Sequence, residues 1–196
     1  MTKPRLSPSF PAELVVLLYP ASTGSQKFSP RPIAHPTHLA VKTITTAGHP
    51  ANGQAGLFAK KKIGPNELLI PYLGVIHATF TPSEDLDANS PIPPTTSGHD
   101  ESDYDLSVLR LSSADARNPF KGHHLSIGVD AAVCGNAARF VNDYRGIGTA
   151  ANAEFRLGQG EGGELRMEVW SLKNGVGKGD EVLVSYGKGW WGARRT

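Results

Sequence analysis

Between His38 and Thr46 the run HLAVKTITT alternates. Leu39, Val41, Thr43 and Thr45 fall on one face of an extended chain, and Ala40, Lys42 and Ile44 on the other. A period of two predicts a strand. A turn-rich AGHPANGQAG follows, then LFAKKKI, the punctuation Gly64-Pro65-Asn66, and the strand-like ELLIPYLGVIHATF. Pro71 and Gly74 lie inside that last run and predict bends, edges or two short strands in place of one long one. YDLSVLRL at 104–111 and HLSIGVDA at 124–131 predict further strands. AEFRL, ELRMEVWSL and EVLVSYG predict three more near the C-terminus. Many short strands, 22 glycines and little helical periodicity predict a mostly β domain with few short helices and no internal repeat.

Composition divides the chain further. Seven of the 15 prolines fall in residues 1–36, which read as a Pro/Ser-rich N-terminal extension, either docked or mobile. Its apolar run Leu14–Tyr19 can form a buried strand, and is too short to span a bilayer. Residues 37–192 form the expected domain. It is interrupted at 81–103 by a Pro/Ser-rich loop with six acids and no Lys or Arg, and followed by a short basic tail at 193–196. The net charge of +2 argues against a dedicated nucleic-acid binder. Cys134 is the single cysteine, so neither an intramolecular disulfide nor a cysteine-based zinc site can form. No metal site is expected, since the seven histidines are scattered and the adjacent His123 and His124 would point to opposite faces of a strand. An intracellular chain without a membrane partner fits these features, with nucleus or cytoplasm undecided.

Two glycine motifs resemble dinucleotide fingerprints, GQGEGG at 158–163 and GIGTAA at 146–151. The first is followed by the alternating ELRMEVW, so a hairpin turn is expected there instead of a phosphate-binding turn opening a helix. The segment ARFVNDY at 138–144 is harder to place. As a strand it would put Arg139 and Val141 on one face and Phe140 and Asn142 on the other, so neither face is cleanly apolar. Read locally, it is a strand running into an Asx turn at Asn142-Asp143.

Four segments in order resemble the SET domain of protein lysine methyltransferases. GQAGLFAKKKIGPNELLIPYLGVI (53–76) is similar to that family's opening G-x-G-(L/V)-F-A element and its Y-x-G, here Tyr72-Leu73-Gly74. DYDLSVL (103–109) resembles its tyrosine-bearing strand. IGVDAAVCGNAARFVND (127–143) resembles the D-A-x-x-x-G-N-x-A-R-F-(I/V)-N-H run, with ANAEF (151–155) where P-N-(C/A) follows. GDEVLVSYG (179–187) resembles G-E-E-L-x-x-x-Y-G. The resemblance spans about residues 38–192. It implies small β-sheets around a pseudoknot, S-adenosyl-L-methionine as cofactor, and a lysine of a histone tail or other protein as substrate. The alternative it leaves is a SET-like protein-binding module without catalysis.

The resemblance also implies roles. The backbone of Gln54, Ala55, Gly56 and Leu57 would line the methionine end of the cofactor. Asn142 would hydrogen-bond near its amino group and Asp143 would meet the adenine through backbone atoms, with Arg139 and Phe140 holding that loop. Tyr186 matches the catalytic tyrosine. Tyr104 would serve the cofactor or the pocket, and Tyr72, Phe155 and Val184 the lysine channel. Phe155 and Val184 carry no hydroxyl, so room for di- or trimethylation is expected. Trp190, beside Trp191, would close over the cofactor or simply pack the C-terminus. The chain departs from the pattern at Gln54, where the first glycine of G-x-G is expected, at Asp143, where histidine is expected, and in lacking the cysteine cluster that often follows the domain. The acidic loop would attract a basic tail or stay solvated.

Overall fold

The computed structural model describes residues 5–19, 36–87, 89–94, 99, 102–160 and 162–187. Trp190, Trp191 and the basic tail lie outside the described residues, as does most of the N-terminal extension. The fold is mostly β, built from small sheets with a few short helical turns. The chain divides into two compact units: Met1–Ile33, Tyr72–Asn136 and Leu157–Met167 in the first, Ala34–Pro71, Ala137–Arg156 and Glu168–Thr196 in the second.

The first unit is organised by a four-stranded sheet. β1 (Arg5–Leu6) lies parallel to β5 (Val75–Pro82), which pairs antiparallel with β7 (His123–Asp130), which in turn pairs with β6 (Asp105–Leu111). Side chains directly opposite one another share a face, so the register sorts the sheet. Ile76, Ala78, Phe80, Leu125, Ile127, Val129, Leu106, Leu109 and Leu111 form the apolar face, and Phe80 meets the ring of Phe120 edge-on at 4.9 Å. The other face is polar. Its rows read Val75–Asp130–Asp105, His77–Gly128–Ser107 and Thr79–Ser126–Arg110, ending in the pair Thr81–His124. A bulge at Val108 keeps Arg110 on this face. Leu14–Tyr19, read as a possible buried strand, is instead a 3-10 turn (Ala12–Leu14) running into α1 (Val15–Leu18), with Leu14 and Leu18 buried. A six-residue apolar run cannot tell a buried strand from a buried helical turn, and Pro11 at the start of the 3-10 turn favours the turn. At 160–164 the glycines close a hairpin, with Gly160 N–H donating to Glu164 O and Gly163 N–H to Gly160 O.

In the second unit β2 (Leu39–Thr43) pairs antiparallel with β3 (Ala55–Ala59). Neither alternating face of HLAVKTITT is buried whole. Leu39 and Ile44 are buried, whereas Val41 is 43% exposed. Pro71 ends β4 (Leu68–Pro71), and β5 starts anew at Val75, as the interruptions predict. β4 pairs with β10 (Leu165–Ser171), which is flanked on its other side by β9 (Ala153–Gln159). The strand expected through ARFVNDY is mostly absent. Ala137–Phe140 form a 3-10 turn, closed as Val141 N–H donates to Ala138 O, with Ala138 buried beneath it. Only β8 (Asn142–Asp143) is extended, and it runs parallel to β11 (Leu183–Val184). EVLVSYG is correspondingly strand only at those two residues, because its partner is no longer.

Candidate active site

The segment 179–186 is hydrogen-bonded on two sides. Toward β3, Ala59 N–H donates to Asp180 O, Gly179 N–H to Ala59 O and Val182 N–H to Leu57 O. Toward β8, Asn152 N–H donates to Leu183 O and Tyr144 N–H to Val184 O. The Asn152 side chain fixes this register, donating to Glu181 O and accepting from Leu183 N–H. Three of the segments singled out in the sequence are thereby brought together.

At their meeting point stands Glu181, whose side chain is 8% exposed. Asn142 Nδ2 donates to its Oε1 at 2.7 Å, and His49 Nε2 to its Oε2 at 3.0 Å. Ala51 N–H donates to His49 Nδ1 at 3.0 Å, which makes Nδ1 an acceptor and puts the ring proton on Nε2. Both partners of the carboxylate are then neutral donors. Asn142 Nδ2 also approaches Ala55 O at 3.4 Å, so two acceptors fix the amide's orientation and leave Oδ1 as what it can offer a ligand. The carboxylate lies over Gly56, where a Cβ would come 2.6 Å from Oε1. Only glycine lets a side chain approach this backbone so closely. A buried carboxylate held by neutral donors is costly unless a cation meets it. The cluster therefore suits a positively charged amino group or sulfonium, and its acceptor oxygens fit the amino group at the methionine end of S-adenosylmethionine.

Asp143 takes a different part. Its side chain is 4% exposed and accepts from Arg145 N–H at 2.8 Å, from Tyr186 N–H at 2.7 Å and from Arg145 Nη1 at 3.1 Å. The Asx turn expected here forms, and the same carboxylate holds the backbone of Tyr186. Tyr186 Oη donates to Val141 O at 2.7 Å. With that proton engaged, the phenol acts toward a substrate only as an acceptor.

The other expected residues are placed as follows. Gln54 is exposed, and its backbone is used locally, accepting from Ile44 N–H and donating to Ala51 O. Leu57 is fully buried and its carbonyl accepts Val182 N–H. Arg139 stacks on Phe140, 5.5 Å from the ring centroid. Val184 is completely buried, and Phe155 half-buried on β9. Tyr72 and Tyr104 belong to the first unit, where Tyr72 Oη donates to Tyr104 O at 2.8 Å. His49 and Glu181 were not anticipated. Glu181 sits inside the quoted GDEVLVSYG and could have been marked from it; His49, 132 residues away in a turn-rich stretch, carried no signal.

No family model and no curated protein matches this chain. Solved structures do. A Chaetomium thermophilum Polycomb Repressive Complex 2 bound to GSK126 is 20% identical, with a TM-score of 0.47 over 76% of this chain and 16% of its own. An active polycomb repressive complex 2 in the basal state is 23% identical, with the same TM-score over 76% of this chain and 15% of its own. An autoinhibited form bound to S-adenosylmethionine is 19% identical, with a TM-score of 0.45 and the same two coverages. The chain thus spans about 15% of the length of the chains it resembles.

Proposed function

We propose that the second unit binds S-adenosylmethionine and that the protein transfers its methyl group to a lysine side chain of another protein, a histone tail or a non-histone target. The observation that supports this reading is the meeting of Gly56, Asn142 and Glu181 around a buried carboxylate whose described partners are neutral. Those residues come from three of the four segments that resemble the SET domain, in the same order.

The cofactor supplies an electrophilic methyl on a sulfonium. The chain supplies position and electrostatics. Glu181 and Asn142 Oδ1 would receive the cofactor's amino group, and Gly56 lets the Glu181 carboxylate sit close against the backbone of β3. Methyl transfer would be an in-line displacement in which the N–C bond forms as the C–S bond breaks and the thioether keeps the electron pair; the lysine ammonium would give its proton to water before the attack, and the product would leave as the methylated ammonium. The lysine must arrive neutral, and burial near a sulfonium lowers its pKa in that direction. Tyr186 Oη, anchored to Val141 O and held through Asp143, is the fixed acceptor that aligns the amine.

The test is a pair of measurements on the full chain. At about a hundredfold over its dissociation constant, S-adenosylmethionine adds roughly 2.7 kcal/mol, expected to raise the melting temperature by roughly 5–10 °C. Asn142→Ala abolishes the shift. Tyr186→Phe keeps the shift and lowers methyl transfer to a histone or peptide mixture by on the order of a hundredfold. No shift at millimolar cofactor overturns the reading and leaves a SET-like binding module.

A further inference from the structure

The polar face of the four-stranded sheet in the first unit has two halves. One half is filled. His77 and Asp105 hydrogen-bond at 2.8 Å across Gly128, where a Cβ would lie 2.5 Å from His77 Nε2. The His99 ring stacks on His77 with centroids 4.1 Å apart, and His99 and Ser102 both bond to Asp130. The other half is an open concavity of about 340 Å3 lined by Thr79, Thr81, Ser126, Arg110, His124 and Ser112, with Leu111 and Leu125 bordering it along the strands while their side chains belong to the apolar face.

The chemistry of the open half is one-sided. No carboxylate lines it. Arg110 Nε donates to Ser107 Oγ at 3.0 Å, which ties the guanidinium to the sheet, and no carboxylate among the described residues pairs with it. Ser113 N–H donates to His124 Nδ1 at 3.3 Å, so the neutral ring carries its proton on Nε2 as a further donor. Four hydroxyls complete the lining. Their frame is rigid: the fully buried Asn118 donates to Ser112 O and His123 O, fixing the loop that carries Ser112 and Ser113 to the end of β7. A forked cation, an imidazole N–H and several hydroxyls around a dip with no acid match an oxyanion with several acceptor oxygens.

We propose that this half of the sheet face binds a phosphomonoester, the phosphoryl oxygens seated on Arg110 and His124 and the ester group lying over Thr79 and Thr81. The dip has the size of small-ligand sites, above what bare phosphate needs. Free phosphate and a phosphorylated serine share this chemistry. Inorganic phosphate, O-phosphoserine and acetate are therefore titrated into the full chain while the His124 ring and the Ser113 and Ser126 amides are followed by NMR. Chloride at matched ionic strength is the control. Saturable shifts at those three residues are expected with phosphate, and a dissociation constant at least tenfold higher in Arg110→Gln, with His124→Gln as a second variant. Lys121→Gln, a surface cation outside the lining, leaves the constant unchanged. O-phosphoserine binding tighter than phosphate supports the ester, whereas equal or weaker binding overturns it and leaves free phosphate as the ligand. Shifts that chloride reproduces, a constant untouched in both variants, or acetate binding as well as phosphate would overturn the proposal.

Discussion

Of the three His–carboxylate pairs among the described residues, His77–Asp105, His99–Asp130 and His49–Glu181, the last two lie one in each unit and bury their carboxylates alike. They are not equivalent. In the first unit Asp130 accepts from His99 at 2.8 Å, from Ser102 Oγ at 2.8 Å and from Ala132 N–H at 2.8 Å, and a second imidazole stacks on the first. In the second unit Glu181 accepts, among the described residues, from a neutral asparagine and a neutral histidine, and its carboxylate lies close over Gly56. Asp130 is saturated by fixed donors of its own fold, which makes it a fastening. Glu181 is buried and short of a cation, which makes it a receptor. Burial and a histidine partner do not by themselves mark a functional site; the unfilled valence does.

Substitutions that keep shape and remove charge separate the two. Glu181→Gln has the largest expected effect on ligand binding, a loss of about 3 kcal/mol or more than a hundredfold in S-adenosylmethionine affinity by calorimetry. The free protein's stability changes by less than about 1 kcal/mol, because glutamine sheds an unpaired buried charge. Asp130→Asn behaves oppositely. It leaves cofactor affinity unchanged and lowers stability by about 2 kcal/mol, a fall of roughly 4–8 °C in melting temperature.

Acid sharpens the same contrast. Burial raises the Asp130 pKa, but His99, the Ala132 N–H and Ser102 outweigh it and hold the folded value below the ordinary one. A depressed folded pKa means that the stabilisation is complete above about pH 4 and is lost as pH falls through the folded value. Denaturant melts of wild type and Asp130→Asn should therefore converge on acidification below that point. The smallest effect is local. Hydrogen bonds from the Arg117 guanidinium and N–H bring the half-buried Asp115 to about 2, which carboxyl-carbon NMR reads directly; Arg117→Ala removes the guanidinium and keeps the N–H, so it raises the value part of the way toward the ordinary range without unfolding the protein.

Sequence made parts of this legible. The breaks at Pro71 and Gly74, the hairpin at 160–164 and the Asx turn at Asp143 are local, and local chemistry decides them. The 3-10 turn at Ala137–Phe140 and the helical turn at Leu14–Leu18 were missed because a short apolar run has no period of its own, and packing of Ala138, Leu14 and Leu18 chooses its shape. Within the candidate site, Asn142, Gly56 and Tyr186 could be named from motifs. The pairing of His49 with Glu181 could not, since only the completed fold brings positions 132 apart within 3.0 Å.

The parallel pairing of Asn142–Asp143 with Leu183–Val184 also bears on when the protein matures. Parallel strands so far apart along the chain close a loop of about forty residues, and such contacts form late. On the ribosome the side-chain cluster over Gly56 cannot assemble until Glu181 has emerged, after every sheet of the first unit has been synthesised. The nascent polypeptide therefore joins Glu181 to Asn142 and His49 only after the first unit has been synthesised, so that contact reports that synthesis has passed this segment.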